Sequence, residues 1–287
     1  MISVPISLAP TLALALPVAI IPLLFLLHRH IQQQLHQKNL QLLQQMKLLR
    51  QLIGGFQRHR GLSNGLLCGD TSLHEPLRTT RAELDHLMAT ATNTDAGSHL
   101  DTWRHLADHW SRLREGRTLD ANNNLAQHHL IIRSSIFLLE DLAYETRLSE
   151  NKPDLAWLPL IWHEVLQTAE WAGQARALGT GMAAAGHNSA EQRIRLRFLY
   201  QKIHLLSTLA FRSLRTEFDQ HLPAALLPLQ QAEHQVSNLL NCIQQELLTD
   251  QPLTISAGDY FQQATLAIES LLTLVDLTLD HLQQALH

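Results

Sequence analysis

Cysteine is almost absent from this chain of 287 residues: Cys68 and Cys242 are the only two. Two cysteines cannot build a disulfide framework, and they show no metal-ligand spacing. Lysine is nearly as scarce, since Lys38, Lys47, Lys152 and Lys202 are the only ones and the remaining basic side chains are arginine. Glycine is sparse and no convincing strand-like alternation occurs, which argues against a β fold. There is no glycine-rich phosphate loop, no nucleophile elbow and no kinase or cyclase signature, so an enzyme is not expected. With 22 basic against 26 acidic residues the formal net charge is −4, so no general field would hold nucleic acid.

What is present is leucine, glutamine, histidine and alanine, the composition of long helices. From Ile2 to Leu27 no charge occurs, and at ~1.5 Å per residue this run is long enough to cross a hydrocarbon core of ~30 Å. It predicts one transmembrane helix over residues 1–27, kinked at Pro5, Pro10, Pro17 and Pro22. No basic side chain precedes the run, which argues against a cleaved signal, whereas His28, Arg29, His30, Lys38, Lys47 and Arg50 follow it. The positive-inside rule then places a single-pass protein with its soluble body in the cytoplasm.

Beyond the span, Ile31, Leu35, Leu42, Met46, Leu49, Ile53 and Phe56 recur at helical steps. A helical linker over 28–48 therefore continues into a long first helix. Further helices are expected over 73–88, 98–114 and from Asp120 to about Glu150, with Ser98 and Asp120 as N-caps and Gly116 as a stop. A second set of four opens at Asn151, with Pro153 in the first turn of a helix running to Gly186. Ser189 with Gln192 caps the next, Pro223 opens the seventh, and Ser256 with Asp259 caps the eighth. The fold class is therefore all-α, with eight helices in two antiparallel four-helix layers following the membrane segment.

One stretch concentrates chemistry: Phe56 to Asp70, FQRHRGLSNGLLCGD, where Gly61, Gly65 and Gly69 share a helix face beside Arg60. Each glycine inside a helix costs roughly 1 kcal/mol against alanine, so a close approach of backbone is expected there. A weaker copy lies at Trp171 to Gly186. Placing Arg60 on Arg176 aligns Gly61, Gly65 and Gly69 with Ala177, Gly181 and Ala185, and gives the copy a stripe of Gly173, Ala177, Gly181 and Ala185. Each copy ends the first long helix of its half and is followed by an arginine-bearing helix, with Arg78 and Arg81 in one and Arg193, Arg195 and Arg197 in the other. This is the signature of a duplicated unit. Small residues at steps of four often do no more than let helices pack. Here each arginine adjoins one, so two guanidiniums at one crevice would make a site for a small oxyanion.

Gln57-Arg58-His59-Arg60-Gly61-Leu62-Ser63, Gly173-Gln174-Ala175-Arg176-Ala177-Leu178 and the final helix from Ser256 to Glu269 together resemble the nitrate- and nitrite-sensing (NIT) domain family. The resemblance implies an all-helical sensor of two four-helix bundles over 49–287, with halves at about 49–150 and 151–287. The family occurs in chemoreceptors, histidine kinases and a transcription antiterminator, and its ligand is nitrate or nitrite, with no cofactor. Its first-motif ligand arginine falls on Arg60. A second ligand arginine comes from the C-terminal half, which the repeat places at Arg176, and Gln57 and Ser63 complete the expected ligand-binding set. The family usually carries glutamate before each motif arginine, where this chain has His59 and Ala175, leaving the arginines less neutralised. Nitrate is planar and singly charged, and a guanidinium fork can pair with two of its oxygens.

No output domain follows the resemblance, so the expected sensor signals through a partner or through a homodimer formed by its first helix. The rival reading is a helical interaction scaffold of the same fold that has lost its ligand. Asp101, His105 and His109 offer three donors at steps of four, but nothing completes a metal site. His128, His129 and His163 read as surface or inter-helix residues, and Trp103, Trp110, Trp157, Trp162 and Trp171 as core anchors.

Overall fold

The computed structural model describes residues 9–93, 97–116 and 120–286, and for residues 9–22 it gives the backbone course alone. Eight long helices account for most of the described residues, which contain no strand. They are α1 (Ala9–Leu67), α2 (His74–Asn93), α3 (Leu100–Arg114), α4 (Ala121–Glu145), α5 (Leu166–Ala185), α6 (Ala190–His221), α7 (Leu226–Cys242) and α8 (Ala257–Ala285). Helix α1 packs on α2 and α4, and α3 on α4; α5 packs on α6 and α8, and α7 on α6 and α8. The two groups meet where α1 touches α5 and α8, and where α4 touches α5.

Local chemistry explains most boundaries. The Asp120 carboxylate accepts from Asn123 N, Ser256 accepts from Asp259 N, and Ser189 with Gln192 forms a full capping box. Gly69, Gly116 and Gly186 all have positive φ, the left-handed turn that ends a helix. Two expected boundaries are corrected. Helix α4 stops at Glu145, because Arg147 takes φ 51° and turns the chain, rather than continuing to Glu150. The helix expected from Pro153 begins as a 3₁₀ turn at Pro153–Leu155, and a π turn at Ile161–Val165 precedes α5.

On α1, Leu42, Leu43, Met46, Leu49, Leu52, Ile53 and Phe56 are buried, whereas Ile31 and Leu35 are exposed. The packed body thus begins at Leu42, inside the stretch expected as a linker. Residues 1–8 of the expected membrane span lie outside the described residues. Among the described residues no helix is long and apolar enough to cross a membrane. Trp103, Trp110, Trp157 and Trp162 are buried, and the indoles of Trp103, Trp110 and Trp157 donate to Gln45, Asp85 and the Asp154 carbonyl.

Candidate functional site

Arg60 lies where α1 meets α5, and at 1% exposure it is among the largest fully buried side chains of the protein. A guanidinium cannot shed its charge, so burial on this scale requires a partner. That partner is Glu170 on α5, itself 4% exposed, whose Oε1 accepts from Arg60 Nη1 at 2.6 Å. Gln57 Nε2 donates to Glu170 Oε2 at 3.1 Å and Gln174 Nε2 to Oε1 at 3.1 Å. Arg60 Nη2 is buried without a hydrogen-bond partner. It rests over the bare backbone of Gly173, where a Cβ would stand 2.4 Å away.

Arg176 lies six residues along α5 from Glu170, less than two turns. Its Nη1 donates to Thr265 Oγ1 on α8 at 2.8 Å, and its guanidinium lies 4.9 Å from the Phe261 ring centroid. Burial and then the neighbouring charge of Arg60 push its pKa down to about 10, against the pull of Glu170 and Glu269. Two cations and the buried Glu170 carboxylate therefore share this seam, with the exposed Glu269 of α8 acting on Arg176 from its edge.

Of the expected site residues, the structure places Arg60 and Gln57 together on Glu170 and sets Arg176 within electrostatic reach of both Arg60 and Glu170. Ser63 points elsewhere: its hydroxyl contacts Asn124 on α4 and the Arg60 carbonyl. The glycine stripes need correction. Added Cβ atoms at Gly61 and Gly181 would meet nothing, so neither marks a close helix approach. Gly65 faces Leu73 just beyond its own helix, and Gly69 is the left-handed terminator. Close approaches occur at Gly55, where a Cβ would lie 2.6 Å from Leu84 of α2, at Gly65 against Leu73, at Gly173 beneath Arg60, and at Gly179, where a Cβ would lie 2.4 Å from the Tyr260 ring. Tyr260 there donates to the Ala175 carbonyl at 2.9 Å, locking α8 to α5.

With His59 and Ala175 in place of the usual acids, the arginines are expected to be less neutralised. Glu170 corrects this for Arg60, since the acid arrives from the opposite helix. Sequence reasoning misses it, though a signal is there: Glu170 and Arg176 are the only charged residues of α5. An isolated acid in a neutral helix that packs on both sides is a candidate buried counter-ion.

His59 instead belongs to a hydrogen-bond chain behind Arg60. Arg81 Nε donates to His59 Nε2 at 3.3 Å, His59 Nδ1 lies 2.7 Å from His128 Nε2, and His128 Nδ1 lies 2.7 Å from the Asn124 carbonyl. Arginine can only donate and a carbonyl can only accept, so the ends fix both tautomers: each ring carries its proton on Nδ1. Burial holds both rings neutral, with His59 pushed down to about 2 and His128 to about 3. The chain ties α2, α1 and α4 together one residue from Arg60.

A cleft of ≈ 390 Å³ opens between α4 and α5, lined by His129, Arg133, Gln167, Glu170, Trp171 and Gln174 among others. It reaches Glu170 from the surface and offers a small solute a route towards the buried pair. Asp101 pairs with Arg104 and His109 contacts Gln127; no group of three metal-ligating side chains occurs among the described residues.

A profile of the family described as nitrate and nitrite sensing matches residues 51–283. The chain belongs to that family. A search of the solved structures finds the NasR transcription antiterminator, with a TM-score of 0.68 and 22% identity over 93% of this chain and 74% of that one. Similarity at this level establishes the shared fold. No curated protein matches the chain.

Proposed function

We propose that the protein is a membrane-anchored sensor that binds nitrate or nitrite at the seam of α1 and α5, between Arg60 and Arg176. The observation that carries this reading is the buried Arg60 guanidinium, with Nη2 unpartnered over Gly173 and a second arginine beside it. Charge supports a monoanion. Arg60, Glu170 and Arg176 sum to one positive charge, which the exposed Glu269 carboxylate offsets only in part through solvent, so a singly charged anion suits the seam better than sulfate. Gln57 and Gln174 hold Glu170 in place and can re-aim their amides when an anion competes for Arg60. Binding also relieves Arg176, whose charged form burial disfavours.

The sensor comprises residues 49–287 in two halves, 49–150 and 151–287, preceded by the linker and the apolar segment 1–27 as anchor. Helix α1 carries Arg60 and runs back without interruption to Ala9, so a shift at the seam has a rigid path toward that segment. Output passes to a partner protein. The protein is a binding protein rather than an enzyme.

Thermal unfolding with nitrate, nitrite, chloride and sulfate tests the reading. Nitrate or nitrite should raise Tm, and Arg60→Ala and Arg176→Ala should each abolish the shift; unchanged shifts in both variants would sink the proposal. One observation favours a second reading, a scaffold without a ligand: Glu170 already neutralises Arg60 at 2.6 Å. Binding of none of the four anions would select it.

A further inference from the structure

Helix α6 buries Leu196, Leu199, Ile203, Ala210 and Leu214 against its neighbours, yet its outer face is not the polar surface that this predicts. Ile194, Phe198, Leu205 and Leu209 are exposed at 68%, 47%, 53% and 54%. Together with Glu191, Gln201, Lys202 and Arg212 they occupy an arc of about 100°. The order along that arc is symmetric. Measured from the midpoint between Gln201 and Lys202, Ile194 is as far to one side as Leu209 is to the other, Phe198 mirrors Leu205, and Glu191 mirrors Arg212.

Two helices that meet antiparallel across a two-fold axis bring mirrored positions opposite one another. From this pattern we infer that the outer face of α6 is a self-recognition surface, which pairs with α6 of a second copy about an axis passing between Gln201 and Lys202. In that arrangement Ile194 meets Leu209 of the partner subunit and Phe198 meets Leu205 of the partner subunit, each contact occurring twice. Glu191 meets Arg212 of the partner subunit at both ends, so the charges complement one another only in this antiparallel register. A parallel pair would set Glu191 on Glu191 and Arg212 on Arg212, a like-charge arrangement that disfavours it. Both charged residues are exposed and have no ion-pair partner among the described residues. Phe198 is already held for the contact, with Trp171 edge-on at 5.9 Å and Lys202 Nζ 5.6 Å from its ring centroid. The surface lies on a different helix from the arginine seam, and the inference does not depend on what that seam binds.

The test uses the full chain in detergent, carrying Cys68→Ser to remove the exposed native thiol. Gln201→Cys, beside the axis, should form an intermolecular disulfide on mild oxidation, and Arg195→Cys, also exposed but off the arc, should not. In sedimentation, Glu191→Arg and Arg212→Glu should each weaken self-association by about tenfold, because each turns two attractive contacts into repulsive ones. The combined exchange should restore it. Equal cross-linking of the two cysteine variants would overturn the proposal, as would a double exchange no better than either single one. A monomeric wild-type chain whose binding to phosphatidylglycerol vesicles is lost in Leu205→Glu would also overturn it, and would assign the face to a lipid surface.

Discussion

Arg60 and Arg176 hold equivalent places in the internal repeat, yet the fold treats them in opposite ways. Arg60 is buried completely and compensated at 2.6 Å by Glu170. Arg176 is half-buried, lies over Phe261 and bonds a neutral hydroxyl, and its charge is disfavoured by both burial and Arg60. One arginine is built into the body of the protein and the other is held beside it without a carboxylate hydrogen bond. Repetition in sequence reproduces the position of a side chain on its helix, whereas the neighbouring helix decides what that side chain experiences.

The contrast is broken most directly by truncating each side. Arg60→Ala without ligand strands the Glu170 carboxylate in the interior and should cost about 3–5 kcal/mol in denaturant unfolding. Glu170→Gln, which strands the guanidinium instead, should cost a similar amount, and nitrate should recover part of it. Arg176→Met keeps most of the packing on Phe261 while removing a half-buried charge that no carboxylate hydrogen-bonds, and should leave stability within about 1 kcal/mol or improve it. Equal losses for Arg60→Ala and Arg176→Met would abolish the distinction.

The next effect is steric. In Gly173→Ala the new methyl group would meet Arg60 Nη2 at 2.4 Å, and pushing the guanidinium off its carboxylate should cost about 1–3 kcal/mol and weaken anion binding. Gly181→Ala, one of the repeat's aligned glycines, enters open space and should stabilise by up to about 1 kcal/mol through helix propensity. Opposite signs for two glycines of the same helix, read from paired urea titrations, would show that Arg60 and not a packing stripe fixes Gly173.

Protonation sharpens the comparison further. The folded pKa of Arg176 lies below its unfolded value, so the charged form costs stability at neutral pH, and that cost begins to fade as pH rises through about 10. Nitrate-induced stabilisation should therefore hold near neutrality and decline as pH climbs through about 10, with calorimetry as the measure. The histidine chain works at the other end. His59 and His128 stay neutral in the fold to about 2 and 3 but take up protons at about 6.5 when unfolded. Their contribution is complete above about 6.5 and is lost progressively as pH falls below it. Acid titration should show that slope, and His128→Asn should flatten it.

Much of the architecture is legible in the amino-acid sequence. Caps at Asp120, Ser189 and Ser256 and stops at Gly116 and Gly186 act through hydrogen bonds and backbone sterics within a few residues of themselves, so their meaning does not wait on the fold. The three motifs that carry the family resemblance are equally readable, and the family profile covers residues 51–283. The site is legible only in part. Arg60, Arg176 and Gln57 can be chosen from the motifs. Glu170 is separated from Arg60 by 110 positions, and no local rule joins them.

The eight helices, their order and most of their caps follow from the sequence, because they depend on capping and periodicity over one or two turns; the end of α4 at Glu145 and the broken start of α5 do not. Only the tertiary structure decides which acid neutralises Arg60, which glycine makes room for it, and that Arg176 goes without a carboxylate hydrogen bond. Those outcomes depend on the register in which α1, α5 and α8 pack. Packing register is set by the fit of whole side-chain surfaces, and a shift of one turn would move Glu170 away from Arg60 without altering a single local signal.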